Sequence, residues 1–189
     1  MKKVAITGNI AAGKSQAEKI ISKYFPVYDT DIIAHEILDN IDEFYNLDVF
    51  TNGKIDRKKL GKLVFENPEI KNKLEKFIHP LIKTKLEEIF EKHINEDFVF
   101  VSVPLLFEAK WENHFDKIII ITAKDELRLE RLISRNNLSK NDAQNRIRSQ
   151  IPQEDKIKNS DYIIENNGTE NELAEKVFKL LKEEFSVNA

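Results

Sequence analysis

Cysteine is absent from the 189 residues. That excludes disulfides, thiolate metal sites and a cysteine nucleophile, and it fits a cytosolic location. Glycine and proline are scarce, five of each, and no flexible linker, low-complexity tract or internal repeat is visible. No apolar run approaches the roughly 20 residues that span a bilayer. Met1-Lys2-Lys3 runs into a strand pattern with no signal-type apolar segment, so neither a membrane partner nor export is expected. Neither sign of charge dominates. The net charge is only −3 with 33% charged residues, so no general nucleic-acid footprint is expected, and positive charge for an anionic ligand must be local. The 41% hydrophobic content suits a globular core carrying insertions. No motif speaks to oligomeric state, and a monomer suffices.

What is present is concentrated near the start. Gly8-Asn9-Ile10-Ala11-Ala12-Gly13-Lys14-Ser15 reads G-x-x-x-x-G-K-[ST], the phosphate-binding P-loop. Val4-Ala5-Ile6 before it is a buried-strand run, and Gln16 to Tyr24 after it has helical periodicity through Ala17, Ile20 and Ile21. Backbone amides from Gly8 to Gln16 must converge on phosphate oxygens, helped by the unpaired amides of the following helix. Lys14 supplies charge to the β- and γ-phosphates of ATP, and the Ser15 hydroxyl offers an oxygen to Mg²⁺.

Further strands are expected at Pro26–Asp29, Phe98–Val103, Lys117–Thr122 and Tyr162–Ile164. Helical stretches separate them. The alternation predicts an α/β fold: a P-loop NTPase-type parallel sheet of about five strands with helices on both faces. Residues 40–96 are too long for a crossover and read as a helical insertion, and 125–155 as a charged helical pair forming a lid. Residues 1–39, 97–124 and 156–189 would then make the nucleotide-binding core.

Asp29-Thr30-Asp31 follows the second strand. Residues two apart in an extended chain point the same way, so both carboxylates can face the crevice at the strand tips. Either could accept a proton from an attacking hydroxyl, hold Mg²⁺, or cap the next helix from near Ile32. Asp31, further past the strand, is the first choice as base. Arg128, Arg131 and Arg135 share a helix face at i, i+3, i+7, with Arg146 and Arg148 beyond, as a phosphoryl-transfer lid requires. His35 lies a turn after Asp31 and can approach the same pocket. His79 precedes Pro80 in the insertion, while His93 and His114 read as surface residues. Their scatter lacks metal-ligand spacing. Glu108, after the third strand, could reach a substrate group.

Taken in order, these strings resemble the dephospho-CoA kinase family. They include the P-loop, Asp29-Thr30-Asp31 with Ala34-His35, Gly53-Lys54-Ile55-Asp56-Arg57 and Ile78-His79-Pro80. Val103-Pro104-Leu105-Leu106-Phe107-Glu108, Arg131 to Arg135, Ser149-Gln150-Ile151-Pro152 and Ile164-Glu165-Asn166-Asn167-Gly168 complete the set. The resemblance implies transfer of the ATP γ-phosphate to the ribose 3′-hydroxyl of dephospho-CoA. It implies Asp31 as base, Lys14 and Ser15 on phosphates and Mg²⁺, and Arg135 as lid arginine. Dephospho-CoA would lie on the insertion, with Asn166 beside the adenine of ATP. The family commonly has Gly, Gly and Ser where Asn9, Ala11 and Ala12 stand, and an aspartate where Ser102 stands. A nucleoside or nucleoside-monophosphate kinase, or a non-catalytic nucleotide-binding module, are the competing readings.

Overall fold

The computed structural model describes residues 1–39, 49–51 and 54–187. Gly53 and part of the 40–96 stretch therefore lie outside the described residues. The chain forms two compact units, Met1–Asp29 with His93–Ala189, and Thr30–Lys92.

The first unit is built on a five-stranded, all-parallel sheet. Its strands are β1 (Lys2–Gly8), β2 (Val27–Asp29), β5 (Phe98–Ser102), β6 (Lys117–Thr122) and β7 (Tyr162–Glu165), in the order β2-β5-β1-β6-β7. Consecutive residues of β1, β5 and β6 are buried, Val4-Ala5-Ile6, Val99-Phe100-Val101 and Ile118 through Ile121. Adjacent residues of a strand face opposite sides, so both faces of the sheet are covered. β-Branched and aromatic side chains favour such strands. On one face Val4, Ile6, Phe100, Ile119, Ile121 and Ile164 meet Ala17 and Ile21 of α1 (Lys14–Ile21) and Leu173, Val177 and Leu181 of α8 (Glu170–Glu184). Burying each α8 leucine or valine contributes roughly 2 kcal/mol. Thr169 caps α8, its hydroxyl accepting from the Glu172 amide at 3.3 Å, and Phe185 closes the core at ring distances of 5.0 Å to Phe98 and 5.2 Å to Phe100.

The first unit also carries α5 (Asp125–Asn136), α6 (Lys140–Arg148) and α7 (Gln153–Ile157). α5 stops at left-handed Asn137. α6 starts on Ser139, which accepts from the Asp142 amide at 3.1 Å. α5 and α6 are the two helices expected within 125–155, and α7 is an addition to them. His93 differs from its surface reading. Its Nε2 lies 2.6 Å from the Tyr28 hydroxyl, a partner too far along the chain for local spacing to indicate.

The second unit contains α2 (Thr30–Asp39), β3 (Phe50–Thr51), β4 (Lys54–Ile55), α3 (Arg57–Glu66) and α4 (Pro68–Lys92). The antiparallel pair β3–β4 is an addition to the purely helical pattern expected here. α4 buries Ile78, Ile82, Leu86, Ile89 and Phe90 along one stripe, the spacing of a core-facing helix. Asn67 opens it by accepting from the amides of Glu69 and Ile70 at 3.0 and 3.2 Å. Pro80 lies inside α4, where a proline cannot donate to the carbonyl four residues earlier. Among the described residues no helix is long and apolar enough to cross a membrane.

Candidate active site

Open parallel sheets bind ligands where neighbouring connections leave in opposite directions. β1 is such a strand, flanked by β5 and β6, and the Gly8–Ser15 loop leaves its carboxyl end. Gly8 stands opposite Ile121 in β6. A Cβ at Gly8 would come within 2.6 Å of the Ile121 carbonyl oxygen, so this register needs glycine. Two left-handed residues shape the loop, Ala11 at φ 62 and Gly13 at φ 100. Glycine adopts that conformation at little cost, and a Cβ at Gly13 would also overlap the side-chain nitrogen of Asn166.

The loop's polar groups divide into two sets. The Ala12 amide donates to Asn9 O at 3.0 Å, and the Gln16 amide to Gly13 O at 3.0 Å. The Ile10 amide donates to Gln150 Oε1 at 2.7 Å. Ile10, expected among the phosphate-binding amides, therefore spends its N–H on the segment following α6. Among the described residues, the amides of Ala11, Gly13, Lys14 and Ser15 take no hydrogen bond. The last two belong to the first turn of α1, where no intrahelical acceptor exists. Uncommitted amides at a helix start beside an ammonium suit a polyphosphate.

Lys14 Nζ donates to Glu18 Oε1 at 2.6 Å and to Ser102 Oγ. Ser102 Oγ in turn donates to Asp29 Oδ2 at 3.3 Å, because β2 pairs Asp29 with Ser102 in β5. Lys14, Glu18, Ser102 and Asp29 thus form one polar chain beside the loop. Ser15 and Gln16 are exposed, and the Ser15 hydroxyl is an oxygen donor of the kind Mg²⁺ accepts. Glu18 escaped the sequence reading, although its i+4 spacing from Lys14 on a helix was a visible signal.

The structure corrects the expectation that Asp29 and Asp31 project alike from an extended chain. The strand stops at Asp29 and α2 begins at Thr30, because Thr30, and not a residue near Ile32, turns helical. Asp31 is exposed in the first turn of α2, and His35 lies half-buried one turn on. His79 is half-buried on α4. Burial pushes its imidazole pKa below the ordinary value, Glu75 opposing and Lys83 adding to the effect.

The three arginines of α5 do not act as one cationic surface. They share an angular face, but seven residues of helix span about 10.5 Å, and their depths differ. Arg128, 2% exposed, donates through Nε to Ile10 O at 3.1 Å and through Nη1 to Asp125 Oδ1 at 2.7 Å. Burial lowers its pKa while Asp125 opposes. Arg131 is half-buried, and Arg135, Arg146 and Arg148 are exposed. Leu132, buried one turn from Arg128, was the available hint that position 128 faces inward.

Glu108 is likewise more committed than expected. Its Oε1 lies 2.7 Å from Nζ of fully buried Lys156 and accepts from the Ile151 amide at 3.1 Å. Ile151 O accepts from Asn9 Nδ2 at 3.0 Å. Asn166, expected beside an adenine, is buried and donates through Nδ2 to Ala12 O at 2.9 Å.

Comparison with known proteins agrees with this geometry. The family model described as dephospho-CoA kinase matches residues 2–172. A dephospho-CoA kinase of Bacillus thuringiensis subsp. konkukian is 38% identical over 177 residues, covering 88% of each chain. Dephospho-CoA kinase from Campylobacter jejuni superposes with a TM-score of 0.73 at 37% identity, covering 96% of each chain. TT1252 from Thermus thermophilus superposes with a TM-score of 0.85 at 31% identity, over 100% of this chain and 98% of that one. A P-loop of uncommitted amides on the central strand, in a chain matched almost end to end, places this protein in the dephospho-CoA kinase family.

Proposed function

We propose that the protein transfers the γ-phosphate of ATP to the 3′-hydroxyl of the ribose of dephospho-CoA. The observation that carries this is the group of uncommitted amides at Ala11, Gly13, Lys14 and Ser15 beside the Lys14 ammonium, in a chain of this family. On triphosphate binding Lys14 exchanges Glu18 for β- and γ-phosphate oxygens, and the amides receive the rest. The Ser15 hydroxyl would hold Mg²⁺, whose charge would offset that of those oxygens.

The ribose 3′-oxygen bonds to the γ-phosphorus while the bond to the β–γ bridging oxygen breaks. ADP leaves with that oxygen, and the hydroxyl proton passes to the Asp31 carboxylate. Asp29 stays beside Ser102 as the second carboxylate near the loop. Arg135, exposed on α5, stabilises the migrating group from a lid over 125–155. The insertion over 40–96, with His79, and α2, with His35, take up dephospho-CoA, while Glu108 holds the segment at Ile151. The absence of cysteine supports a reducing compartment, the cytoplasm.

A coupled ADP-release assay tests this with dephospho-CoA beside adenosine and AMP as acceptors. Release with dephospho-CoA at a rate at least ~10²-fold above either alternative is expected, a discrimination that binding groups on the acceptor can supply. Turnover of adenosine or AMP without dephospho-CoA would overturn the acceptor assignment. ADP release indifferent to every acceptor would reduce the protein to a nucleotide-hydrolysing or nucleotide-binding module.

A further inference from the structure

The two loop residues with positive φ also carry amides that take no hydrogen bond among the described residues, Ala11 and Gly13. Each amide shares a peptide unit with the carbonyl of the preceding residue, Ile10 and Ala12. Both carbonyls are held by side-chain donors from distant elements. Arg128 Nε of α5 holds Ile10 O at 3.1 Å, and Asn166 Nδ2, just after β7, holds Ala12 O at 2.9 Å. Both side chains are buried, and Asn166 is itself fixed by its amide donating to Thr122 O at 2.7 Å.

A trans peptide points its N–H opposite to its C=O. Holding the carbonyl therefore aims the amide at the other end. We propose that Arg128 and Asn166 are positioning residues which, by holding the Ile10 and Ala12 carbonyls, aim the Ala11 and Gly13 amides at the phosphates. This rests on the kinase reading for its ligand. It gives Arg128 a role different from a lid arginine that touches phosphate. Without the donor, a peptide next to a left-handed residue can rotate and turn its carbonyl toward the anion. Donation from a guanidinium also polarises the peptide and strengthens the amide at its far end. Gln150, gripping the Ile10 amide at 2.7 Å, fixes the neighbouring peptide, so the loop is held from three distant stretches of chain.

The side-chain chemistry supplies a clean test. A glutamine Nε2 lies as many bonds from the backbone as an arginine Nε, so Arg128→Gln keeps a donor at that reach while losing the charge and the Asp125 pair. Arg128→Met keeps an unbranched side chain of similar length and has no donor. Equilibrium binding of Mg-ATP to the full chain is measured by calorimetry, with kcat and KM for both substrates and thermal unfolding without nucleotide. Arg128→Met is expected to raise the Kd for ATP about tenfold, the loss associated with one hydrogen bond worth about 1.4 kcal/mol. Arg128→Gln is expected within about threefold of wild type, with kcat at saturating ATP changed less than threefold in both and with similar unfolding temperatures. Equal ATP affinity in the Met and Gln variants, or a loss that follows unfolding temperature, would overturn the assignment.

A second readout needs no nucleotide. The ¹⁵N–¹H resonance of Ala11 is expected to be single and sharp in wild type and Arg128→Gln, and broadened or doubled in Arg128→Met. In the same way Asn166→Asp should disturb Gly13. Unchanged Ala11 and Gly13 signals would overturn the proposal, whatever the kinetics. If wild type failed to bind ATP while those signals responded as stated, the kinase reading would fall and the carbonyl clamp would stand.

Discussion

Single residues separate function from support. Asp31, exposed at the start of α2, is assigned the proton of the attacking hydroxyl. Asp31→Asn is expected to lower kcat by at least ~10²-fold while ATP affinity, measured by calorimetry, stays near wild type. A small rate change would shift the base to Asp29 or to solvent. Glu108 illustrates the opposite case, a carboxylate held by Lys156 and the Ile151 amide. Glu108→Ala would leave the fully buried Lys156 ammonium unbalanced. A loss of about 3 kcal/mol in denaturant-induced unfolding is expected, the scale of breaking a buried pair by removing one partner. Stability equal to wild type, with only a raised KM for dephospho-CoA, would return Glu108 to the acceptor site.

At the scale of elements, the sheet strands and the P-loop were legible because their signals are local: apolar runs of strand length, and a spacing pattern tied to backbone geometry. The start of α2 was misplaced because Thr30 can end a strand or open a helix with equal ease. The inward turn of Arg128 was hidden for a different reason. Its acceptor, Ile10 O, lies 118 residues away, and no periodicity in α5 encodes a partner outside it. Lys156 was missed likewise, since a lysine in a short charged helix reads as solvated until Glu108 is brought to it. α8 buries Leu173, Val177 and Leu181 along one stripe, and Phe185, the residue that follows it, has a measurable share in the core. Phe185→Ala removes a ring from the cluster of Phe25, Phe98, Phe100 and Tyr162. A destabilisation of about 3 kcal/mol is expected in urea unfolding; a change under about 1 kcal/mol would show that α8 closes the core without it.

For the whole molecule, stability should depend on pH through His79. Its folded pKa lies below the ordinary histidine value of about 6.5 because burial disfavours the imidazolium. Above that value the ring is neutral in both states and its contribution is intact. As pH falls below it, the unfolded chain takes up the proton first, so stability declines until the pH passes the folded pKa. Urea midpoints at pH 7.5 and 5.5 should therefore differ more in wild type than in His79→Gln. Equal differences would assign the acid loss to other groups. The central claim concerns the whole chain acting as one enzyme: amides at the end of β1 and the Lys14 ammonium hold a triphosphate whose terminal phosphoryl passes to a ribose hydroxyl. The most direct measurement is the ³¹P NMR spectrum of a reaction containing Mg-ATP and dephospho-CoA. The account predicts loss of the γ-phosphate signal, appearance of ADP, and a new phosphomonoester coupled to the ribose 3′ position, all absent with Lys14→Ala. ADP accompanied by inorganic phosphate, with no new monoester on dephospho-CoA, would contradict it.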